Sequence, residues 1–329
     1  MKNSLKLALG ASLSVTLMLA ACGSDDASSG DGGGSEEGGG SEDSAGLDGV
    51  AITVGSKDFD EQLILGNIAI AALEDAGADV TDQINTGGTD VTRAALTGGN
   101  IDMYWEYNGT AWISFFGETD PIPDRIEQYE AVRDRDLEEN DLVWLTPANF
   151  NNTYGIAFPT EAAGDLGNPT KISDLGTLIA DSPDDATLCV ENEFSARDDG
   201  LPGMEEAYGF EFPQDNIAIL DTALVYTQAD QRDPCNFGEV FTTDGRISGL
   251  DLTVLEDDES FFPLYNPSPV FRSEVYDENG DALDAIFDPI AEALTDEEMT
   301  KLNEAVSVNL ELPDQVATDW LTEQGLIGG

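Results

Sequence analysis

Residues 104–112, with the sequence YWEYNGTAW, concentrate aromatic side chains: four of the nine are Tyr or Trp. The first of them end a short run that predicts a strand, and the others follow it. Side chains at the carboxyl end of such a strand could face a ligand. Aromatic faces attract cations, and a methylated ammonium suits them because it forms no strong hydrogen bonds with water. The segment could therefore surround a quaternary ammonium, although rings that only fill a core would give the same pattern.

Charge and composition exclude several functions. The 329 residues include 67 acids, 13 bases and no histidine, for a formal net charge of −54. A chain this negative repels phosphate backbones, so we expect no nucleic-acid partner. Without histidine there is no Ser-His-Asp triad, no Cys-His pair and no histidine metal site. We expect neither metal nor cofactor, but catalysis by carboxylates or lysine stays open.

Alternating strand and helix patterns organise the chain from residue 50 onward. The first predicted strands are 50–54, 78–84 and 101–105, separated by helices 61–76 and 87–96 and followed by a polar helical stretch at 123–140. A second series has strands 154–158, 187–190, 238–241 and 252–255, with helices 174–180 and 201–208. A strand at 269–271 would return to the first sheet, and a turn at Asn279-Gly280 would precede helices 281–294, 296–308 and 312–324. This order predicts an α/β protein in which a second lobe is inserted into the first.

The N-terminal residues have the pattern of an export signal. Lys2 and Lys6 precede an apolar run that is too short to span a membrane, and the run ends in Leu19-Ala20-Ala21-Cys22. These residues resemble the bacterial lipoprotein box, so we predict a signal peptide at 1–21 and a lipid on Cys22. An ordinary signal peptide that contains a cysteine is the alternative. Residues 22–48 are mostly Gly, Ser, Asp and Glu, and we predict a flexible acidic linker.

Two further cysteines, Cys189 and Cys235, lie in the predicted folded body. An even pair in an oxidising compartment predicts a disulfide between them. Two free buried thiols are the alternative.

Several separated motifs resemble one family. They are Gly55-Ser56-Lys57-Asp58-Phe59-Asp60-Glu61-Gln62, Gly87-Gly88-Thr89, EYNGTA at 106–111, EFSARDDGL at 193–201 and FTTD at 241–244. Their order resembles that of the glycine betaine/carnitine/choline-binding proteins of osmoprotectant ABC transporters (the ProX/OpuC type). The resemblance extends from about residue 50 to residue 326. It implies a two-lobed periplasmic-binding-protein-like fold (type II) with a ligand cleft between lobes joined by a two-strand hinge. We expect lobe I at 49–154 plus 266–329 and lobe II at 155–265.

The resemblance also implies ligand-binding residues. Tyr107, Tyr154 and Tyr265 match cage tyrosines, and Thr110 matches a hydroxyl donor to the ligand. Lys57 and Arg197 match the basic residues that hold a betaine carboxylate, and an arginine suits that task because it binds with two parallel hydrogen bonds.

Two positions depart from the family pattern, where Asn152 replaces a frequent aspartate and Phe241 a frequent tyrosine. The cage is then less negative than usual, which favours a zwitterion over choline. Gln62 could also reach the cleft, whereas Trp105 and Trp112 are predicted to be packing residues.

The implied function is capture of a quaternary-ammonium compatible solute and its delivery to an ABC permease with its ATPase. We expect a monomer outside the cytoplasm, anchored to the outer face of the cell membrane only through the lipid on Cys22. Alternatives are a two-lobed lipoprotein for another small cationic or zwitterionic solute, a sensory or adhesive lipoprotein, and a carboxylate-dependent hydrolase.

Overall fold

The computed structural model describes residues 46–118, 120 and 122–328. The predicted signal peptide, Cys22 and most of the predicted linker lie outside these residues. The linker was expected to extend to residue 48, but Leu47 is buried and its N–H donates to the carbonyl of Ala76. The folded body therefore includes the last residues of that segment. Within the described ranges, no helix combines the length and the apolar composition that a membrane span requires.

Strands and helices alternate along most of the chain. The first part contains β1 (Ala51–Gly55), α1 (Asp60–Asp75), β2 (Asp79–Gln83), α2 (Thr89–Thr97), β3 (Met103–Tyr107), α3 (Arg125–Asn140) and β4 (Leu142–Trp144). The middle part contains β5 (Tyr154–Pro159), α4 (Asp174–Asp181), β6 (Leu188–Val190), α5 (Leu201–Tyr208), β7 (Ile217–Ile219), α6 (Thr222–Gln231), β8 (Phe237–Phe241), α7 (Arg246–Gly249) and β9 (Leu252–Val254). The last part contains β10 (Pro267–Arg272), α8 (Ser273–Ala293), α9 (Asp296–Ser307) and α10 (Pro313–Gln324).

The strands form two five-stranded sheets. The first has the order β2-β1-β3-β10-β4, with β1 parallel to β2 and β3, and β10 antiparallel to β3 and β4. The second has the order β7-β6-β8-β5-β9, with β6 parallel to β7 and β8, and β5 antiparallel to β8 and β9. We call the part built on the first sheet lobe I and the part built on the second lobe II. The predicted α/β architecture with an inserted second sheet is confirmed.

The chain crosses between the sheets twice, at residues 145–153 and 255–266, and the two crossings are bonded to each other. The N–H of Asn152 donates to the carbonyl of Tyr265, and the amide of Asn266 donates to the carbonyl of Phe150. These paired segments place the cleft between the lobes beside the ends of β3, β5 and β8.

Helix α1 lies over the first sheet because its apolar residues recur at helical spacing. Ile64, Leu65, Ile68 and Leu73 are fully buried in the main core of lobe I. Trp105 belongs to the same core, with its ring centroid 6.0 Å from that of Phe287. This packing fixes α1, and therefore also the loop that precedes it at the cleft.

The predicted turn at Asn279-Gly280 is wrong, because α8 is continuous from residue 273 to residue 293. The side chain of Asn279 donates to the carbonyl of Val275, one turn earlier, instead of starting a turn. Gly280 leaves room for the ring of Tyr276, since a Cβ at Gly280 would lie 3.1 Å from that ring. The glycine thus serves packing along the helix.

Candidate functional site

The ends of strands place the predicted site residues around one cleft. Tyr107 is the last residue of β3 and Phe241 is the last residue of β8. Tyr154 opens β5 and lies directly opposite Phe241 in the sheet ladder. Such cross-strand neighbours share a face of the sheet, so both rings point the same way. Tyr265 comes from the second crossing, two residues before β10.

The cleft has a volume of about 550 Å³ and is lined by residues of both lobes. It contains eight of the predicted site residues, namely Lys57, Tyr107, Thr110, Asn152, Tyr154, Arg197, Phe241 and Tyr265. Gln62 does not line it. Its side chain is fully buried, accepts the N–H of Lys57 and donates to the carbonyl of Trp105. Gln62 therefore holds the first βα loop against β3, and the expectation that it reaches the cleft is wrong.

Aromatic rings form one wall of the cleft. The centroid of Tyr154 lies 5.3 Å from that of Phe241 and 5.4 Å from that of Tyr265. Phe59, which precedes α1, stacks on Phe241 at 5.3 Å and lies 6.3 Å from Tyr107. Phe59 connects the lobe I ring of Tyr107 to the lobe II rings. We refer to these five rings as the aromatic cage.

Phe59 was missed because an apolar residue just before a helix is usually read as packing. Its neighbours Lys57 and Glu61 carry charge, however, and a phenylalanine between charged residues just before a helix is the signal that could have indicated a site.

Both predicted carboxylate-binding cations are already paired with carboxylates of the protein. The Nζ atom of Lys57 lies 2.7 Å from Oε1 of Glu106 and 5.2 Å from the ring centroid of Tyr107. Arg197 donates through Nε and Nη2 to the two carboxylate oxygens of Asp199, at 2.7 and 2.5 Å. These pairs fix the positions of the two cations, and Nη1 of Arg197 also donates to Oε2 of Glu193, at 3.3 Å.

Two cage tyrosines donate their hydroxyl protons to buried carboxylates. The hydroxyl of Tyr107 lies 2.7 Å from Oε1 of Glu61, and that of Tyr265 lies 2.7 Å from Oδ2 of Asp199. Burial, followed by the nearby carboxylate, raises the pKa of Tyr107 and of Tyr265 well above the usual value. Both hydroxyl groups therefore stay protonated, and both rings stay neutral.

Glu61 was not predicted as a site residue, although it lines the cleft. Burial raises the pKa of its carboxyl group above the ordinary value, and hydrogen bonds from Thr243, Asn303 and Tyr107 oppose that shift. The side chain of Asn152 also donates to Glu61, at 2.8 Å, which leaves the Asn152 carbonyl oxygen buried without a hydrogen-bond partner in the described structure.

Cys189 and Cys235 form a disulfide, with their Cα atoms 5.5 Å apart. Cys189 lies in β6 and Cys235 just before β8, so the bond joins neighbouring parts of the second sheet. Neither cysteine lines the cleft.

Two sheets that enclose a cleft lined by aromatic and charged side chains define a solute-binding protein of the two-lobed class. The family model for the substrate-binding domain of ABC-type glycine betaine transport systems matches residues 50–323, and the chain belongs to this family. It is thus a substrate-binding component of an ABC importer, and the family expected from the sequence motifs is confirmed.

Two relatives illustrate the similarity. The chain is 39% identical over 282 residues to the glycine-betaine-binding protein of Pseudomonas aeruginosa, covering 84% of this chain and 88% of the relative. It is 34% identical over 279 residues to the glycine betaine-binding protein YehZ of Escherichia coli, covering 83% and 90%. The solved structure of apo YehZ has a TM-score of 0.62 at 33% identity, covering 84% of this chain and 99% of that chain. The two-lobed fold expected from the motifs is therefore confirmed.

Proposed function

We propose that this protein captures a quaternary-ammonium compatible solute, glycine betaine or a related betaine, choline or carnitine, in the aromatic cage. The single observation that carries the proposal is the set of rings from both lobes that meets at one wall of the cleft. A trimethylammonium group spreads its charge over methyl groups, and aromatic faces within about 6 Å of a cation attract it.

The opposite end of a betaine would approach Lys57 and Arg197. Both line the cleft, as does Thr110. Arg197 suits a carboxylate because its guanidinium presents several donors in one plane. The names of the two relatives, both glycine-betaine-binding proteins, support this ligand class.

In this proposal the chain acts as an extracytoplasmic monomer, anchored through a lipid on Cys22 and delivering its ligand to a permease with its ATPase. The signal-like residues 1–21 and the acidic residues that follow support the anchor. Lobes bounded at 49–154 plus 266–329 and at 155–265 agree with the distribution of strands between the two sheets, apart from Tyr154, which opens β5 of the second sheet. A ligand held between such lobes favours their closure, and closure is what a permease can recognise.

Isothermal titration of the purified mature protein with glycine betaine, proline betaine, carnitine and choline tests the ligand class. We expect saturable binding of at least one of them and none of glycine, which has the same carboxylate but no methyl groups. Saturation without a new product distinguishes a binding protein from a carboxylate-dependent hydrolase. Failure of all four compounds, with binding of another small cation, would favour the alternative solute-binding function.

A further inference from the structure

Glu61 is a carboxylate held by four uncharged donors. Its exposed fraction is 3%. Oε1 accepts the hydroxyl of Tyr107 at 2.7 Å and Nδ2 of Asn152 at 2.8 Å. Oε2 accepts the hydroxyl of Thr243 at 2.6 Å and Nδ2 of Asn303 at 2.8 Å. The donors come from both lobes and from the first crossing, so the carboxylate lies where the lobes meet.

Glu61 differs from the other acidic residues near the cleft in its ion pairing. Glu106 is paired with Lys57, and Asp199 is paired with Arg197. Among the residues that the structure describes, Glu61 forms no ion pair. A buried carboxylate without a cation is costly, because hydrogen bonds from neutral donors replace only part of its hydration. A cationic ligand in the cleft would supply the missing opposite charge.

The hydrogen bond from Tyr107 connects this charge to the cage. When a carboxylate accepts the hydroxyl proton of a tyrosine, the bond polarises the phenol and increases electron density over the ring. The face of that ring then attracts a cation more strongly. Glu61 also lines the cleft, so its own field acts on a bound ligand.

We propose that Glu61 determines specificity for a positively charged head group, by acting as its counter-charge and through the hydroxyl of Tyr107. This inference rests on the proposed function, since it concerns the same ligand. It assigns the selection of charge to Glu61 and the fit of the methyl groups to the rings. The two contributions can be separated, because a ligand can keep its shape and lose its positive charge.

The test compares glycine betaine with 3,3-dimethylbutanoate, in which carbon replaces the ammonium nitrogen. The two compounds have nearly the same shape and the same carboxylate, and they differ in the charge of the head group. Choline and 3,3-dimethylbutan-1-ol form a second pair without a carboxylate. Calorimetry on the full mature chain gives the ratio of the two affinities in each pair, which is the preference for charge.

In the wild type we expect a clear preference for the ammonium compound of a pair. The variant Glu61→Gln should reduce that preference about tenfold or more, because it removes the negative charge that would face the ammonium group in a site shielded from water. Tyr107→Phe keeps the ring and removes the hydrogen bond to Glu61, so it should reduce the preference by a smaller factor. Glu61→Asp, which keeps the charge, should retain most of it.

Glu205→Gln is the matched control. It also removes one partly buried carboxylate, which accepts the N–H of Phe212 in lobe II, away from the cleft. We expect its preference to equal that of the wild type. Thermal unfolding shows whether Glu61→Gln is folded, and Tyr107→Phe decides the question if it is not.

An unchanged preference in the folded Glu61→Gln variant, or in Tyr107→Phe if the first does not fold, would overturn the role of Glu61 and leave the proposed function intact. Equal loss of affinity for both members of a pair would also overturn it, because that result indicates a purely structural role. A wild type that binds none of glycine betaine, proline betaine, carnitine and choline would instead overturn the proposed ligand class.

Discussion

Tyr265 is a cage residue whose ring and backbone both have defined partners. Its ring meets Tyr154 edge-on at 5.4 Å, its hydroxyl donates to Asp199, and its N–H donates to the side chain of Asn151. A Cβ added to Gly109 would lie 2.9 Å from the same ring, so the glycine leaves the space that the ring occupies. The orientation of Tyr265 is thus set by neighbours in the crossing, in lobe I and in lobe II.

Replacing Tyr265 by Ala should weaken glycine betaine binding by roughly 1–3 kcal/mol, through loss of a cation–π contact and of packing around the methyl groups. Titration calorimetry measures the change. Tyr208→Ala serves as a control, because Tyr208 is a tyrosine of lobe II that does not line the cleft. Equal affinities of Tyr265→Ala and the wild type would show that Tyr265 does not contact the ligand.

Residue types predicted the cage better than they predicted its charges. The aromatic residues and the two cations could be found because their motifs resemble those of the glycine betaine/carnitine/choline-binding family. Glu61, Glu106 and Asp199 could not, because in a chain with 67 acids no single carboxylate stands out. Their roles follow from burial and from partners distant in sequence, such as the 182 positions that separate Glu61 from Thr243.

At the scale of elements, apolar patterns found most strands and helices. The three-residue strands β4 and β7 were missed, whereas β6 and β9, which are equally short, were found. Helix α6 was missed because its buried side chains, Val225, Tyr226 and Ala229, are few and lie among polar residues. β4 is stabilised by β10 of the first sheet and by α3, whereas β7 and α6 are stabilised by the second sheet, and local sequence does not record these contacts.

The disulfide supports the second sheet, since it joins β6 to the segment that leads into β8 across a separation of 46 residues. Replacing both Cys189 and Cys235 by Ala should lower the free energy of unfolding by about 2–4 kcal/mol, because the unfolded chain gains freedom. Chemical denaturation measures the loss, and the reduced wild type should match the variant. Ligand affinity should stay unchanged where the variant is folded. Equal stability of the variant and the oxidised wild type would contradict this prediction.

At the scale of the whole molecule, direct contacts join the lobes on both sides of the cage. Glu193 of lobe II accepts the N–H and the hydroxyl of Thr89, at the start of α2 in lobe I, each at 2.7 Å. The positive end of the helix favours this carboxylate, and the pKa of Glu193 is lowered despite its burial, by Lys57 and by the bonds from Thr89. On another side, Arg246 of lobe II pairs with Asp60 of lobe I.

Gly88 offers a way to weaken one of these contacts without touching the cage. A Cβ at this position would lie 2.6 Å from Oε1 of Glu193, and the backbone there suits any residue. Gly88→Ala should therefore displace the carboxylate and weaken betaine binding by about 1 kcal/mol, the scale of one hydrogen bond. Calorimetry measures the affinity, and small-angle scattering should show a larger radius of gyration. Gly164→Ala, where a Cβ meets nothing within 4 Å, should change neither quantity. A Gly88→Ala variant as compact as the wild type would contradict the role of the Glu193 contact in holding the lobes together.

Glu193 also accepts a hydrogen bond from Nη1 of Arg197, at 3.3 Å. The carboxylate of Glu193 therefore contacts both Arg197, which is proposed to bind the ligand carboxylate, and lobe I on the other side of the cleft. Ligand binding and lobe closure are then linked reciprocally. If a ligand bound at Arg197 strengthens the contact between the lobes by some factor, closure of the lobes must raise the affinity for the ligand by the same factor. A membrane partner that separates the lobes would therefore also weaken the binding of the ligand, because both contacts share the side chain of Glu193.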